Sequence, residues 1–439
     1  MKKTIKLAVV AALALGTTSA FATNGSNLIG TGAKARSMAG TSIGISHGAE
    51  SGLSNVALIT SVEGTEIAFG GTIFMPKVSN DNALMIPTGF DAAGVPTGFK
   101  DESSKSDSDA DMNVIPEVSI AGKVTDNFYM GIGMWGTAGM GVDYRDAANT
   151  GQMNMVTNLQ LMQFGVPLAY KMNGLSIGLT PVLQYGSLDI NYNMSNALQN
   201  LFTMGAGGAP TNPGDKTIGS GVAQDLQFGY NLGISYEIAG FTLGAIYKSQ
   251  IDMEYKGVLS NAIGAMGVAY TNDKLSTPAE LGFGLSYNMS AHTIAFDFKQ
   301  IKWSDAEGYK DFEWEDQTVI AIGYEYATKA WAVRFGYNQA TSPISEQERT
   351  TNAMGQETNI NAAGLSAGLV NTFNLLGFPG IVESHIGLGG SYTISEKTSI
   401  DVAYVYAPEV TETFKNFMGQ DITTKHSQSS LSVGVNYNF

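Results

Sequence analysis

Leu431-Ser432-Val433-Gly434-Val435-Asn436-Tyr437-Asn438-Phe439 closes the chain, apolar at every odd position and small or polar at every even one. Successive side chains of a strand point to opposite faces, so this ribbon is greasy on one side and polar on the other. The same pattern runs backwards through the sequence. Trp331, Val333, Phe335 and Tyr337 alternate with Ala332, Arg334, Gly336 and Asn338. Leu281, Phe283, Leu285 and Tyr287 alternate with Glu280, Gly282, Gly284 and Ser286. In Phe241–Tyr255 the odd positions are mostly apolar, while Lys248, Gln250, Asp252 and Glu254 share the other face. Fourteen such runs fill the chain from Glu66 to Phe439.

Connections between the runs switch between short and long. The short ones fall at Asp126, Asn173, Ile238–Gly240, Met289–Ser290, Thr328–Lys329 and Ser395–Lys397, and the longest spans about forty residues between Gln339 and Val382. Tight turns on one side and elaborated loops on the other are the signature of an up-and-down membrane barrel. A soluble sandwich alternates too, but its strands average about five or six residues, and many of these runs exceed ten. Aromatic residues also gather towards run ends (Tyr255, Tyr287, Tyr326, Tyr406, Tyr437), as an interfacial girdle requires.

Composition agrees. Charged residues make up 14% of the 439, against about 25% in a soluble protein. The only long apolar run is Leu7–Leu15, which follows Lys2, Lys3 and Lys6 and precedes Ala20-Phe21-Ala22. That order describes a secretory signal peptide over residues 1–22, with Thr23 as the mature start. Losing its three lysines takes the formal charge from −15 to −18. Phosphate backbones are bound by basic clusters, so nucleic acid is excluded as a partner. With no cysteine, an exported chain is held by its hydrogen-bond ladder and packing alone.

The expected organisation is residues 1–22 as leader, 23–65 as an N-terminal segment and 66–439 as the barrel. Thr23–Val62 is rich in Gly, Ala and Ser, with few charges; it reads either as a plug folded into the lumen or as a periplasmic leader. The third run, Phe128–Tyr144, is dense in glycine, and Trp135-Gly136-Thr137-Ala138-Gly139 cannot hold a regular alternation. Glycine in a strand marks a bulge, a bend or close backbone approach, so this stretch reads either as crowding or as a kink that opens the wall. Three outer loops carry apolar residues at helical spacing: Met194, Leu198, Leu201 and Phe202; Leu259, Ile263 and Met266; and Leu365, Leu369, Phe373 and Leu376. Loops outside a barrel offer little core, so these helices are expected to pack as a lid or to present a groove for greasy ligands.

In this order the features resemble the FadL-type outer-membrane transporters of long-chain fatty acids and other hydrophobic molecules, some of which take up aromatic hydrocarbons. The markers are Leu53-Ser54-Asn55-Val56-Ala57-Leu58-Ile59, the run from Tyr247 to Gly257, Leu275–Glu280, and Lys302-Trp303-Ser304. The resemblance implies an all-β, fourteen-stranded antiparallel transmembrane barrel with an N-terminal hatch in the lumen. It implies ligand capture at an outer groove, an internal pocket and sideways release at the third strand. Leu198, Leu201, Phe202, Ile263 and Met266 are the expected substrate-binding residues. Asn55, Val56 and Ala57 of the hatch, with Trp135, Gly136, Thr137 and Gly139 of the third strand, are the expected gate. Two departures stand out. Val56 replaces a common proline, and the fifth strand around Gln184–Asp189 lacks an arginine that would meet a carboxylate. Lys310, seven residues after Trp303, sits where the fatty-acid form carries a basic residue, and is the sixth expected substrate-binding residue, facing a carboxylate.

Other constellations fall away. Asp107-Ser108-Asp109-Ala110-Asp111 begins like a calcium loop, but Met112 and Val118 stand where glycine and glutamate belong. His47, His292, His385 and His426 show no metal spacing, and Gly30-Thr31-Gly32 lacks the third glycine of a dinucleotide site. The expectation is therefore passive transport of hydrophobic molecules across a Gram-negative outer membrane, without catalysis or cofactor. Long-chain fatty acids or related apolar compounds are the expected cargo; an uptake channel for aromatic hydrocarbons is the first alternative, with a hydrophilic porin and a barrel lipase behind it. Expected partners are the hydrophobic substrate, outer-membrane lipid and the barrel-assembly machinery acting on Phe439, with the protein a monomer.

Overall fold

The computed structural model of the protein describes residues 23–91, 96–145, 150–205, 214–352 and 356–439. The leader expected over residues 1–22 lies outside them. Fourteen wall strands run β1 (Thr65–Asn82), β2 (Asn113–Lys123), β3 (Phe128–Asp143), β4 (Val156–Gly165, resuming as Leu168–Met172), β5 (Leu175–Met194), β6 (Ala223–Ile238) and β7 (Phe241–Lys248). They continue as β8 (Glu280–Met289), β9 (His292–Ile301), β10 (Gln317–Ala327), β11 (Trp331–Ala340), β12 (Ser384–Ser395), β13 (Thr398–Lys415) and β14 (Asp421–Asn438). Each pairs antiparallel with the next, and β14 returns to β1 in register from Asn438↔Glu66 to Ile422↔Asn82. The sheet closes on itself, so every strand has a neighbour on both sides over at least part of its length, the condition for strands in lipid.

The alternation decides which face meets lipid. Along β6, Leu226, Phe228, Tyr230, Leu232, Ile234 and Tyr236 point outward, while Asn231 and Ser235 are buried inside. Phe228 is 81% exposed, an arrangement that water would oppose and a bilayer favours. At one short end Ala239 and Gly240 both take left-handed φ (51° and 84°), the backbone of a two-residue hairpin turn.

One run departs from its expected pattern. The alternation in Phe241–Tyr255 is not one continuous strand face. β7 ends at Lys248, and Ser249 interrupts the ladder by offering its Oγ to the Tyr230 N–H at 3.0 Å. Before it, Leu243 and Tyr247 face out; after it, Ile251, Met253 and Tyr255 are buried. Tyr255 therefore belongs to the interior and not to the interfacial girdle. The reason is what surrounds the wall. Beside the bilayer the apolar side chains find lipid outside, and above it they find protein inside.

The helices form where the spacing indicates: α3 (Asn196–Gly205), α4 (Val258–Gly264) and α5 (Ala367–Leu376). The expectation that outer loops offer little core does not hold. Every residue of α5 is buried, so it is an enclosed helix rather than an amphipathic one. Its loop dips into the barrel. Thr157 of β4 donates to the Gly377 carbonyl, and Thr424 of β14 donates to that of Leu375 at 2.7 Å.

Candidate transport path

Thr23–Val62 lies against the inner wall. Short helices α1 (Gly32–Ser37) and α2 (Ser51–Ser54) and the 3₁₀ turn Val56–Ser61 are buried almost throughout. Inward glycines make room for them. A Cβ at Gly244, Gly284, Gly336 or Gly387 would strike the backbone of Ile43, Gly44, Met38 or Arg36 respectively. Asn55 locks the far end. Its Nδ2 donates to the carbonyls of Ile43 (2.7 Å) and Ile234 (3.2 Å), and its Oδ1 accepts the Ala57 N–H. Val56 packs on Gly178 of β5.

Wall carboxylates grip this segment. Asp297 of β9 accepts the N–H groups of Ser42 (2.7 Å) and Ile43 (3.0 Å), and Glu66 of β1 accepts that of Ala49 (2.9 Å). Glu117 of β2 accepts the Gly32 N–H at 2.6 Å and pairs with the Arg36 guanidinium. Glu280 of β8 accepts from the Asn27 amide at 3.0 Å, while Asp401 of β13 faces Lys34 at 3.8 Å. Bonds to ionised oxygens are the stronger kind, and Asp297, Glu117, Glu280 and Asp401 are all buried. Within the segment, burial pushes the Glu50 carboxyl up to about 8, and Lys34 offsets only part of that. Burial likewise lowers His47 to about 4, although its Nε2–H donates to the Thr41 carbonyl at 2.7 Å.

Above the segment lies a closely packed apolar cluster. Trp303, Tyr309 and Trp314 form a triangle with ring centroids 4.6, 5.0 and 4.7 Å apart, and Phe312 stacks on Phe373 of α5 at 4.4 Å. Ser26 reaches this triangle, its Oγ 3.3 Å from the Tyr309 hydroxyl. Apart from Trp303 and Phe373, none of these aromatics stood out in the sequence. They lie in non-repeating loops, and the only signal was the clustering of Trp303, Tyr309, Phe312 and Trp314 within twelve residues.

The third strand is irregular where the glycines predict. Gly136 pairs with Met162 and Ala138 with Leu161, so Thr137 is an extra, bulged residue. At the same level the β2–β3 ladder stops, its last rung being Glu117↔Trp135. Beyond it, β3 turns to the N-terminal segment, with Asn27 opposite Ala138 and Gly139 donating to the Ser26 carbonyl at 3.1 Å. Phe74, Ile115 and Leu28 cover the inner side of the gap. A polar cavity of about 50 Å³ adjoins it, touching Gly136 and Thr137.

The expected site residues thus fall into separate groups. Leu198, Ile263 and Met266 are buried in the apolar cluster, with Leu201 and Phe202 half-buried at its edge. Phe202 meets Phe417 at 6.0 Å. Trp135 is enclosed, its Nε1 donating to Ser119 at 2.8 Å. Lys310 points away from the cluster and pairs with Glu307 at 2.6 Å. Among the described residues no histidine ring bonds a serine hydroxyl, and no group of three or more potential ligands is placed to hold a metal ion.

A closed lipid-facing barrel, its lumen occupied by its own N-terminus beneath a packed apolar cluster, is the architecture of an outer-membrane transport protein. Residues 7–369 match the family of outer membrane protein transport proteins (OMPP1/FadL/TodX), and the chain belongs to that family. It is 22% identical over 399 residues to the long-chain fatty acid transport protein of Escherichia coli strain K12, covering 79% of this chain and 82% of that one. A 47 kDa outer membrane protein of Pasteurella multocida is 25% identical over 242 residues, 48% of this chain and 50% of its own. In fold, the chain superposes on a Pseudomonas aeruginosa FadL homologue with a TM-score of 0.70 at 15% identity, covering 94% of this chain and all of that one. The toluene transporter TodX of Pseudomonas putida gives 0.62 at 17% identity, covering 93% and 99%.

Proposed function

We propose that this protein carries hydrophobic molecules passively from the outside into the bilayer, with no catalytic step and no cofactor. Long-chain fatty acids and aromatic hydrocarbons, the cargo named for its relatives, are the candidate substrates. Ligand enters among Leu201, Phe202 and the neighbouring loop side chains, then transfers to the aromatic cluster. Burial supplies about 25 cal/mol per Å² of apolar surface. So tight a site would trap its ligand, and release requires the N-terminal segment to act as a hatch. Ligand then leaves sideways between β2 and β3, without crossing the aqueous end of the lumen. The protein works as a monomer inserted through recognition of Phe439 by the assembly machinery.

The observation that carries this reading is the interrupted β2–β3 ladder, where the unpaired edge of β3 is covered by Ser26 and Asn27 of the same segment that underlies the cluster. Hatch movement and wall opening are thereby one event. A hydrophilic porin is disfavoured by a lumen filled with protein. The test is a cysteine pair at Ile115 and Gly136, where a Cβ on the glycine would stand 3.7 Å from the Ile115 Cβ, within disulfide reach. Oxidation should abolish uptake of a radiolabelled hydrophobic substrate, and reduction should restore it, while ligand binding in detergent persists. Full uptake in the oxidised state would move the exit elsewhere.

A further inference from the structure

The cavity beside the bulge of β3 is polar in a way that hydrocarbon transport does not explain. Lys248 of β7 and Glu280 of β8 meet in it at 3.2 Å, and Glu280 also holds Asn27, so its charges are already balanced. Gln163 of β4 donates its Nε2 to Gln184 at 2.9 Å, and Gln184 donates in turn to Thr277 at 2.7 Å. That chain leaves the Gln163 Oε1 unpartnered. The Nδ2 of Asn231 on β6 is unpartnered as well, and both side chains are at least nine-tenths buried. Buried polar atoms normally find partners, so two orphans on one cavity mark a place built for something else. At about 50 Å³ it has room for roughly three waters or a small polar head group.

The two free atoms define the guest: one donor and one acceptor, with no net charge to neutralise. A hydroxyl can meet either need, accepting from Asn231 or donating to Gln163, with the waters the cavity has room for completing the other. A carboxylate would accept only, setting a second negative oxygen against the Gln163 carbonyl. Leu28, beside the cavity, continues into the apolar cover of Phe74 and Ile115, where the rest of such a molecule would lie. We propose that this cavity receives the hydroxyl of a mostly apolar alcohol or phenol, so that the protein selects hydroxylated over plain hydrocarbon ligands at the wall gap. This rests on the transport reading above.

The test compares toluene, p-cresol and p-toluate, which share one skeleton and differ in the head group. Binding is titrated to the full-length protein in lipid nanodiscs, with empty discs subtracted. Wild type should bind p-cresol roughly tenfold more tightly than toluene, the effect expected of one or two net neutral hydrogen bonds, and p-toluate no more tightly than toluene. Asn231→Leu and Gln163→Leu should each remove the p-cresol preference and leave toluene binding within about twofold. Asn231→Ala, read alongside heat-modifiability, separates loss of the head-group site from misassembly. Equal binding of p-cresol and toluene by wild type, a preference that survives Asn231→Leu, or a preference for p-toluate each overturns the proposal. Failure of wild type to bind either toluene or p-cresol would overturn this proposal and remove aromatic hydrocarbons from the candidate cargo, while displacement of a fluorescent fatty-acid probe tests the transport reading separately.

Discussion

Glu117→Gln tests the coupling between hatch and wall most directly. Glu117 stands on the last rung of the β2–β3 ladder and holds both Gly32 N–H and Arg36, whose side chain is 3% exposed against 6% for the glutamate. The amide keeps an acceptor for Gly32 but offers its NH₂ to a guanidinium that has lost its counter-charge. Breaking one side of a buried pair costs about 3–5 kcal/mol, because the other charge is left uncompensated. At about 1.4 kcal/mol per decade, local opening around α1 should become roughly a hundred- to four-thousand-fold more frequent. Hydrogen exchange by mass spectrometry reads this on the peptide covering Gly32–Thr41. Ser42 and Ile43, held separately by Asp297, serve as the internal control. A double replacement, Arg36→Met with Glu117→Leu, should restore most of the protection, since an apolar pair leaves no orphan charge. Wild-type exchange in Glu117→Gln would refute the idea that this ion pair latches the segment.

Gly284→Val should drive Gly44 off the wall and raise conductance to small ions in planar bilayers, while the β8–β9 ladder and heat-modifiability stay intact. The N-terminal segment should loosen as pH rises, because Glu50 binds a proton up to about 8 when docked but only to its ordinary carboxylate value when released. Between about pH 7.5 and 8 His47, lowered to about 4 when docked and at its ordinary value when released, is almost wholly neutral in both states, so Glu50→Gln should flatten the pH dependence of exchange there. Trp303→Ala opens the aromatic triangle and, by the usual cost of truncating a buried aromatic, should weaken stability or apolar ligand binding by about 3–5 kcal/mol in a thermal-shift or titration assay. Lys310→Met removes a partly exposed ion pair of little energetic weight and should leave fatty-acid binding unchanged, as measured by displacement of a fluorescent probe.

By itself the sequence determined the wall. A strand's period of two is local, so runs such as Leu431–Phe439 declare both their conformation and their lipid face, and Ala239-Gly240 declares its turn. The glycines of Phe128–Asp143 likewise announced an irregular strand before its bulge at Thr137 was located. What local periodicity cannot encode is which surroundings a given face will meet. Tyr255 alternates like a girdle residue yet lies inside, because Ser249 shifts the phase where the wall leaves the bilayer. The α5 loop looks like an outer elaboration yet enters the lumen through bonds to Thr157 and Thr424. The contacts of the N-terminal segment are the extreme case. Arg36 and Glu117 are 81 residues apart, and Asn27 and Glu280 are 253 apart. Neither residue of such a pair carries a periodic signal, and their meeting exists only once the barrel has closed around the segment. Tertiary structure therefore decided the lumen, because the energy of a buried charge depends on what closure brings beside it and not on its neighbours in the chain.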